Sequence, residues 1–254
     1  MATSVELQAR RVAAIPRGVG NVTQIFAKTA KNAEIWSEDG KRYIDFGAGI
    51  AVVNTGHQHP RLVAAIQEQL KAFSHVCFQV TPYENYVSLA ERLNAIAPVP
   101  GPAKTMLVST GAEAVENAVK VARAFTGRPG IISFAGGFHG RTHMGMALTG
   151  KVVPYKKGYG PFPSDVYNVE FPNLYHGVST EQSLKSLKSL FKHTADPSSI
   201  AAIIIEPVQG EGGFNVVPKD FMVALRKLCD DNGILLIADA VSYTHLTLPT
   251  IYSV

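Results

Sequence analysis

The chain has 254 residues, of which 46% are hydrophobic and 17% are charged, a composition typical of a soluble globular protein that can bury one or two cores. The formal net charge of +4 comes from dispersed Lys and Arg residues in runs no longer than two, which excludes the basic stripe of a nucleic-acid-binding protein. The sequence has no apolar stretch near the ~20 residues of a membrane span, no leader-like N-terminus and only two cysteines, so we expect a cytoplasmic protein that does not bind membranes.

Periodicity and turn residues predict a helix over 5–15, a hairpin over 34–46 around an Asp-Gly turn, and two further helices over 60–73 and 83–97. Strands and helices then alternate, with strands predicted over 104–109, 130–134, 201–206 and 234–239, and helices over 113–126, 141–148, 179–192 and 219–232. This alternation predicts an α/β fold with a mostly parallel sheet and helices on both of its faces.

The same pattern divides the chain into three expected parts. Residues 1–46 form an N-terminal helix and hairpin segment, and residues 47–239 form one large α/β domain. Residues 240–254 read A-V-S-Y-T-H-L-T-L-P-T-I-Y-S-V and offer no helix to follow the preceding strand. We therefore expect this tail to be foreign to the domain, as translated adapter or vector sequence would be.

Two predicted strands end in carboxylates, Glu206 and Asp239. Open α/β sheets bind ligands at the carboxyl ends of their strands, so these two side chains are candidates for a buried acid in a site. The alternative for each is a helix cap or a solvated group.

Further candidates lie in two glycine-containing loops. In S-T-G-A-E, Gly111 and Ala112 start a helix, whose free N–H groups favour an anion such as phosphate. In G-G-F-H-G-R-T, Phe138 can stack on a planar ring and Arg141 can hold a carboxylate. The alternatives are an ordinary strand-to-helix turn, a core Phe and a surface Arg.

Together, a phosphate seat, a stacking ring, a carboxylate clamp and a buried acid suit pyridoxal 5'-phosphate. Its pyridine nitrogen needs a carboxylate to hold a proton, because the protonated ring draws electrons from the substrate. Asp239 is the candidate for that carboxylate.

Several strings place the sequence near a known family, in the family's order: P-R-G-V-G, D-F-G-A-G-I-A-V-V-N-T-G-H, H-V-C-F-Q-V, T-G-A-E-A-V-E-N-A-V-K, F-H-G-R-T, A-L-T-G-K-V-V-P-Y and E-P-V-Q-G-E-G-G-F. From residue 10 to residue 239 the chain resembles the class III aminotransferases of fold-type I, and most of all their 4-aminobutyrate-type members. The resemblance implies a pyridoxal-phosphate-dependent enzyme that works as a homodimer.

The resemblance also implies roles for the residues around the cofactor. The amides of Gly111 and Ala112 would bind the phosphate, and Phe138 would stack on the pyridine ring with His139 beside it. Many relatives carry Ser in place of Ala112, so one side-chain hydrogen bond is expected to be missing. Relatives often carry Tyr in place of Phe138.

On the other side of the ring, the resemblance places two acids and one apolar residue. Glu206 and Asp239 would lie under the ring, with Asp239 on its nitrogen, and both are candidate catalytic residues. Val241 would contact the opposite ring face, inside a motif that departs from the family's D-E-V-Q.

For the substrates, the resemblance implies a pocket of four residues. Ile50, Gln79 and Arg141 would line it, with Arg141 binding the carboxylate remote from the reacting amine. Glu211 would pair with a distal arginine and release it for the α-carboxylate of glutamate or 2-oxoglutarate. No metal ligand is implied.

The departures from the family concern the C-terminal side. The family's covalent cofactor lysine and its distal arginine lie further along than this sequence extends, and Lys227 is its last lysine. A lysine there is both covalent anchor and general base, so we expect the chain as written to be inactive.

The expected parent function is transfer of the amino group of 4-aminobutyrate to 2-oxoglutarate. The alternatives are an ornithine- or acetylornithine-type aminotransferase and a non-catalytic fragment. Ile50 favours a short ω-amino acid, because a substrate with a second charged head group needs a polar partner. The partners are then small amino acids and 2-oxo acids.

Overall fold

The computed structural model describes residues 2–240, with the side chain of Ala51 left out, so Val241 lies outside the described residues. The chain divides into two compact units, one up to Tyr86 and one from Val87 onward. The domain boundaries expected from the sequence, after residues 46 and 239, stay predictions.

The first unit contains a small antiparallel sheet and three helices. Its helices are α1 (Ser4–Ala14), α2 (Ala48–Ala51) and α3 (Pro60–Ala72), and its strands are β1 (Ala27–Lys31), β2 (Glu34–Ser37) and β3 (Arg42–Ile44), in the order β1-β2-β3. The hairpin β2–β3 and the helices α1 and α3 confirm the predictions for these regions. Strand β1 was not foreseen, because it pairs with β2 through a register shift and lacks a clean apolar alternation.

Helix α4 (Glu84–Ile96) carries the division between the units and confirms the prediction over 83–97. The second unit continues with helices α5 (Gly111–Thr126), α6 (His143–Leu148), α7 (Thr180–His193) and α8 (Lys219–Asn232), and with strands β4 (Gly130–Phe134), β5 (Val166–Val169), β6 (Ile200–Ile205), β7 (Val208–Gln209), β8 (Asn215–Val216) and β9 (Leu235–Ala238). Strands β7 and β8 form a short antiparallel pair.

The main sheet of this unit has the order β5-β4-β6-β9, and every pairing in it is parallel. Alternate side chains of β6 point to opposite faces: Ile204 packs with α5 and α6, whereas Ile203 and Ile205 pack with α7 and α8. All six residues of β6 are fully buried. The fold class, a mostly parallel sheet with helices on both faces, is therefore confirmed.

One predicted strand is wrong. The side chains of residues 104–108 alternate between exposed and half-buried, which explains the strand-like pattern in the sequence. A strand also needs ladder hydrogen bonds to a neighbour, and none of the strands within residues 2–240 pairs with this segment. Conversely, β5 was missed, since its four residues V-Y-N-V give too short a pattern.

The helices of the main unit begin and end at recognisable capping residues. Thr110 caps α5 in a reciprocal capping box with Glu113, and Gly127 ends the helix in a left-handed conformation with φ of 70°. Helix α6 starts two residues later than predicted, because Thr142 acts as its N-cap. Over residues 2–240, no helix combines the length and the apolar character needed to cross a membrane.

Candidate functional site

The carboxyl edge of the main sheet gathers the candidate residues of the second unit. Glu206 directly follows β6 and Asp239 directly follows β9, as the sequence predicts. The amide of Asp239 donates to the carbonyl of Ile205 at 2.8 Å, which holds the two strand ends side by side. The loop after β4 carries Phe138 and His139 to the same edge.

At this edge, two predicted site residues, His139 and Asp239, are joined by a buried side-chain contact. The Nδ1 atom of His139 lies 2.8 Å from the Oδ2 atom of Asp239, and the side chains are 1% and 8% exposed. The backbone amide of His139 also donates to the Thr149 hydroxyl at 3.1 Å, so the ring is fixed from two directions. A carboxylate held in this way keeps one orientation.

Glu206 is the second buried acid, with 6% of its surface exposed. Its Oε2 atom accepts a hydrogen bond from the Phe138 amide at 2.8 Å. Burial raises the pKa of Glu206 to about 7, and the nearby Asp239 also raises it, while the Phe138 amide and His139 act in the opposite direction. The carboxyl group thus changes charge near neutral pH.

The loop after β4 approaches helix α5 closely because of Gly140. Its φ of 107° suits glycine, and a Cβ atom at this position would lie 2.9 Å from the Cβ of Ala112. The first turn of α5 therefore lies directly against the loop that carries Phe138 and His139.

That first turn has free hydrogen-bond donors. The Thr110 hydroxyl accepts from the amide of Glu113 at 3.1 Å, and the Thr110 carbonyl accepts from the amide of Ala114. The amides of Gly111 and Ala112, the first two of the helix, have no intrahelical partner. Together with the positive end of the helix dipole they form an anion-binding group.

A cavity of about 510 Å³ lies between these groups, a size typical of cofactor and ligand sites. Its lining includes five of the predicted cofactor residues, Gly111, Ala112, Phe138, His139 and Asp239, and the predicted substrate residue Arg141. The other lining residues are Thr110, Val115, Gly140 and Thr142. Glu206 is not part of the lining. Within residues 2–240, no group of three or more His, Cys, Asp or Glu side chains is arranged to hold a metal ion.

The sequence interpretation missed two residues that contact predicted site residues, Tyr155 and Lys151. The Tyr155 ring lies 4.9 Å from the Phe138 ring, centroid to centroid. Burial raises the pKa of Tyr155 to about 12, and a hydrogen bond to Glu211 adds to the effect. Lys151 Nζ lies 3.1 Å from Glu211 Oε1, and these two donors hold the pKa of Glu211 below its ordinary value. Both residues lie in the string A-L-T-G-K-V-V-P-Y, which was used only for the resemblance.

The other predicted residues of the substrate pocket belong to the first unit. Ile50 is 76% exposed and has φ of 60°, a strained conformation for a β-branched residue. Gln79 lies in a turn and is exposed. Of the predicted site residues, Val241 alone lies outside the described part of the chain.

Comparison with known proteins agrees with the geometry of the site. The model of the family "Aminotransferase class-III" matches residues 14–243. The chain is 56% identical to the 5-aminovalerate aminotransferase of Pseudomonas putida over 239 residues, which cover 94% of this chain and 56% of the relative. It is 54% identical to the 4-aminobutyrate aminotransferase of Escherichia coli over 241 residues, which cover 95% of this chain and 57% of the relative.

Among solved structures, the taurine:2-oxoglutarate aminotransferase of Bifidobacterium kashiwanohense, in complex with pyridoxal phosphate and glutamate, matches with a TM-score of 0.85 at 27% identity. The match covers 94% of this chain and 55% of that one. The chain thus spans little more than half the length of the relatives it matches. On the extent of the family match and the identity to curated members, the chain belongs to the class-III aminotransferases.

Proposed function

We propose that the chain contains most of the cofactor site of a pyridoxal-phosphate-dependent aminotransferase that acts on ω-amino acids. One observation carries the proposal. A single cavity is lined by Gly111 and Ala112, which have free amides, by Phe138 and by Asp239. The carboxylate of Asp239 is held by His139. These groups match an anion, an aromatic face and a ring nitrogen, which are the three parts of pyridoxal phosphate.

The donor set fits the cofactor part by part. The amides of Gly111 and Ala112 bind the phosphate, and Phe138 packs on the pyridine ring. Asp239 would accept a hydrogen bond from the protonated ring nitrogen and so keep the proton on the ring. When bound, pyridoxal phosphate supplies an electron sink for the electron pair left on the substrate carbon.

His139 supports the role of Asp239 because it orients the carboxylate. An ionised carboxylate buried at 8% side-chain exposure is costly unless it is hydrogen-bonded, and the imidazole Nδ1 supplies a hydrogen bond at 2.8 Å. His139 is thus a positioning residue, whereas Asp239 contacts the cofactor directly.

The substrate class follows from Arg141 and from the relatives. Arg141 is exposed in the wall of the cavity, where its guanidinium can bind a carboxylate remote from the reacting amine. The two curated relatives are named for 5-aminovalerate and 4-aminobutyrate, which differ by one methylene. We therefore extend the expected donor from 4-aminobutyrate to both ω-amino acids, with 2-oxoglutarate as the acceptor.

The remaining roles complete the proposal. Glu211 pairs with an arginine supplied from outside the described residues. For Ile50 and Gln79, which belong to the first unit, the role in substrate binding stays a prediction from the sequence, and so does the selection by Ile50 against a second charged head group. We propose a cytoplasmic homodimer as the working form of the whole protein.

Cofactor binding is tested with the chain itself. The variant Gly111→Pro removes one amide donor at the first helical position, where proline is tolerated. A hydrogen bond to a charged group contributes about 1.5–3 kcal/mol, so the affinity for pyridoxal phosphate, measured by absorbance titration, should fall about 10- to 100-fold. The affinity for pyridoxal, which has no phosphate, should not change. Equal losses of affinity for pyridoxal phosphate and pyridoxal would contradict phosphate binding by the Gly111 amide.

A second experiment separates an enzyme from a non-catalytic fragment. The chain is incubated with pyridoxal phosphate and 4-aminobutyrate, product formation is followed, and borohydride reduction with peptide mapping identifies any labelled lysine. Tight cofactor binding without turnover and without a unique labelled lysine is the expected result. Turnover with label at one lysine would refute the expectation of inactivity.

A further inference from the structure

Glu206 lies behind the cavity and not in its wall. It is 6% exposed, yet it is absent from the cavity lining, to which Phe138, His139 and Asp239 all contribute. Its carboxylate binds the backbone of Phe138 at 2.8 Å. A buried acid that does not reach the cavity acts on a ligand only through the groups it contacts.

Besides Phe138, His139 lies near Glu206, as the surroundings of Gly137 show. A Cβ atom at residue 137 would lie 3.2 Å from His139 Nε2 and 3.5 Å from Glu206 Oε2. The second imidazole nitrogen and the Glu206 carboxylate therefore lie on the same side of the Gly137 backbone, close to one another. The other nitrogen, Nδ1, is engaged by Asp239.

We propose that Glu206 is a positioning residue whose charge is coupled through His139 to Asp239. The three groups come from the loops after β6, β4 and β9, so the carboxyl edge of the sheet holds one buried Glu–His–Asp series. The significance of the series for cofactor chemistry rests on the proposed function, since Asp239 is its only member expected to contact the cofactor.

The coupling has a direct electrostatic reason. With Glu206 ionised, His139 has one carboxylate on the side of Nδ1, Asp239, and a second on the side of Nε2, Glu206. With Glu206 protonated, His139 faces a single carboxylate, and the Phe138 amide loses a charged acceptor. The titratable groups that face Glu206 are His139 and Asp239, and their opposite effects on it are those described above. The charge of Glu206 therefore affects two things: the electrostatic surroundings of the His139 ring that holds Asp239, and the strength of the hydrogen bond from the Phe138 amide.

The coupling is measured by NMR titration of the cofactor-free chain, following the carboxyl carbon of Glu206 and the imidazole nitrogens of His139. In the parent chain, the His139 resonances should follow the Glu206 titration. In Glu206→Gln, which keeps an oxygen acceptor for Phe138 but cannot ionise, that response should disappear. The control Glu181→Gln removes an exposed carboxylate at the start of α7 and should leave the response unchanged.

The reciprocal variant is His139→Asn, whose amide can still donate to Asp239. Because His139 lowers the pKa of Glu206 and an asparagine amide carries no charge, the Glu206 titration should shift upward in this variant. An unshifted Glu206 titration in this variant would overturn the proposal even if Glu206→Gln failed to fold. A persistent His139 response in folded Glu206→Gln would do the same.

These titrations need no cofactor, so they test the coupling of Glu206 to His139 independently of the proposed function. Normal affinity for pyridoxal phosphate without coupling between Glu206 and His139 would overturn the series alone. Intact coupling in a chain that does not bind pyridoxal phosphate would overturn the proposed function alone.

Discussion

The Nδ1 atom of His139 lies 2.8 Å from the Oδ2 atom of Asp239, across two loops that leave the same edge of the parallel sheet. Because both side chains are buried, the contact is shielded from water. This pair connects the fold to the proposed chemistry, since the strand order that brings β4 and β9 to either side of β6 also brings the two side chains together.

Removal of the imidazole should destabilise the chain. His139→Ala takes one hydrogen-bond donor from a buried carboxylate, and the free energy of unfolding should fall by about 1–3 kcal/mol. His139→Asn keeps a donor near the position of Nδ1 and should retain much of that free energy. Urea unfolding of the three chains provides the measurement, and equal losses in the two variants would rule out the hydrogen bond as the cause.

The pKa of Glu206 predicts a specific dependence of stability on pH. Because burial raises this pKa from 4.5 to about 7, the folded chain holds the proton more tightly than the unfolded chain. The stabilisation is fully present below pH 4.5 and is lost as the pH rises towards 7. Between pH 5 and pH 8 the parent should lose about 2–3 kcal/mol of unfolding free energy relative to Glu206→Gln. A pH-independent difference between the two would contradict the shift.

The close approach of the Phe138 loop to α5 should make Gly140 intolerant of a side chain. Gly140→Ala places a methyl group 2.9 Å from the Ala112 Cβ. The matched control is Gly127→Ala, whose φ is also positive but whose Cβ would contact nothing within 4 Å. The control should lose about 1–2 kcal/mol from backbone strain alone, and Gly140→Ala about 1–3 kcal/mol more. Thermal unfolding compares them, and Gly140→Ala should also weaken pyridoxal phosphate binding.

Arg128 is expected to be the main polar tie between β6 and α8. Its Nη1 atom donates to the carbonyls of Ile200, Asn232 and Gly233 at 3.2, 3.0 and 3.0 Å. Arg128→Met keeps the apolar stem but leaves these carbonyls without the donor, at a cost of about 1.5–3 kcal/mol. The control Arg226→Met removes an i,i+4 ion pair with Asp230 on α8 and should cost at most about 0.5 kcal/mol. Similar losses would refute the role of Arg128.

Arg141 should discriminate between substrates by their carboxylate. For the chain loaded with pyridoxal phosphate, Arg141→Ala should weaken 4-aminobutyrate binding about tenfold or more, because one charged hydrogen-bonding partner is lost. Butylamine, which has no carboxylate, should bind equally to both chains. Arg141→Lys should restore only part of the affinity, since ammonium is a point charge and not a planar fork. Equal losses of affinity for 4-aminobutyrate and butylamine would show that Arg141 does not bind the substrate carboxylate.

The sequence predicted the main unit well where the pattern is local. Strand β4 and helix α8 have the predicted bounds, because glycine and proline limit both and an apolar periodicity runs between them. Glu206 and Asp239 lie at strand ends as predicted. The free amides of Gly111 and Ala112 also follow from local sequence, because the capping box of Thr110 and Glu113 defines the start of α5.

The sequence interpretation failed where the partner is distant. The strand predicted over 104–109 has the right alternation, but a ladder depends on a neighbour that alternation cannot specify. The pairing of His139 with Asp239 was likewise not foreseen, because the two residues are 100 positions apart and only the order β4-β6-β9 aligns them. Tyr155 was missed since its significance depends on the position of Phe138 and Glu211.

The separation of His139 and Asp239 along the chain also has a consequence for folding. Parallel pairings are non-local and form slowly, and the carboxylate of Asp239 reaches the imidazole only after β9 has docked on β6. A ligand that needs this carboxylate binds the chain with a complete sheet and not its partly folded forms, so it shifts the folding equilibrium towards the native state by mass action. Cofactor supply during synthesis would then control the yield of folded protein as well as its activity.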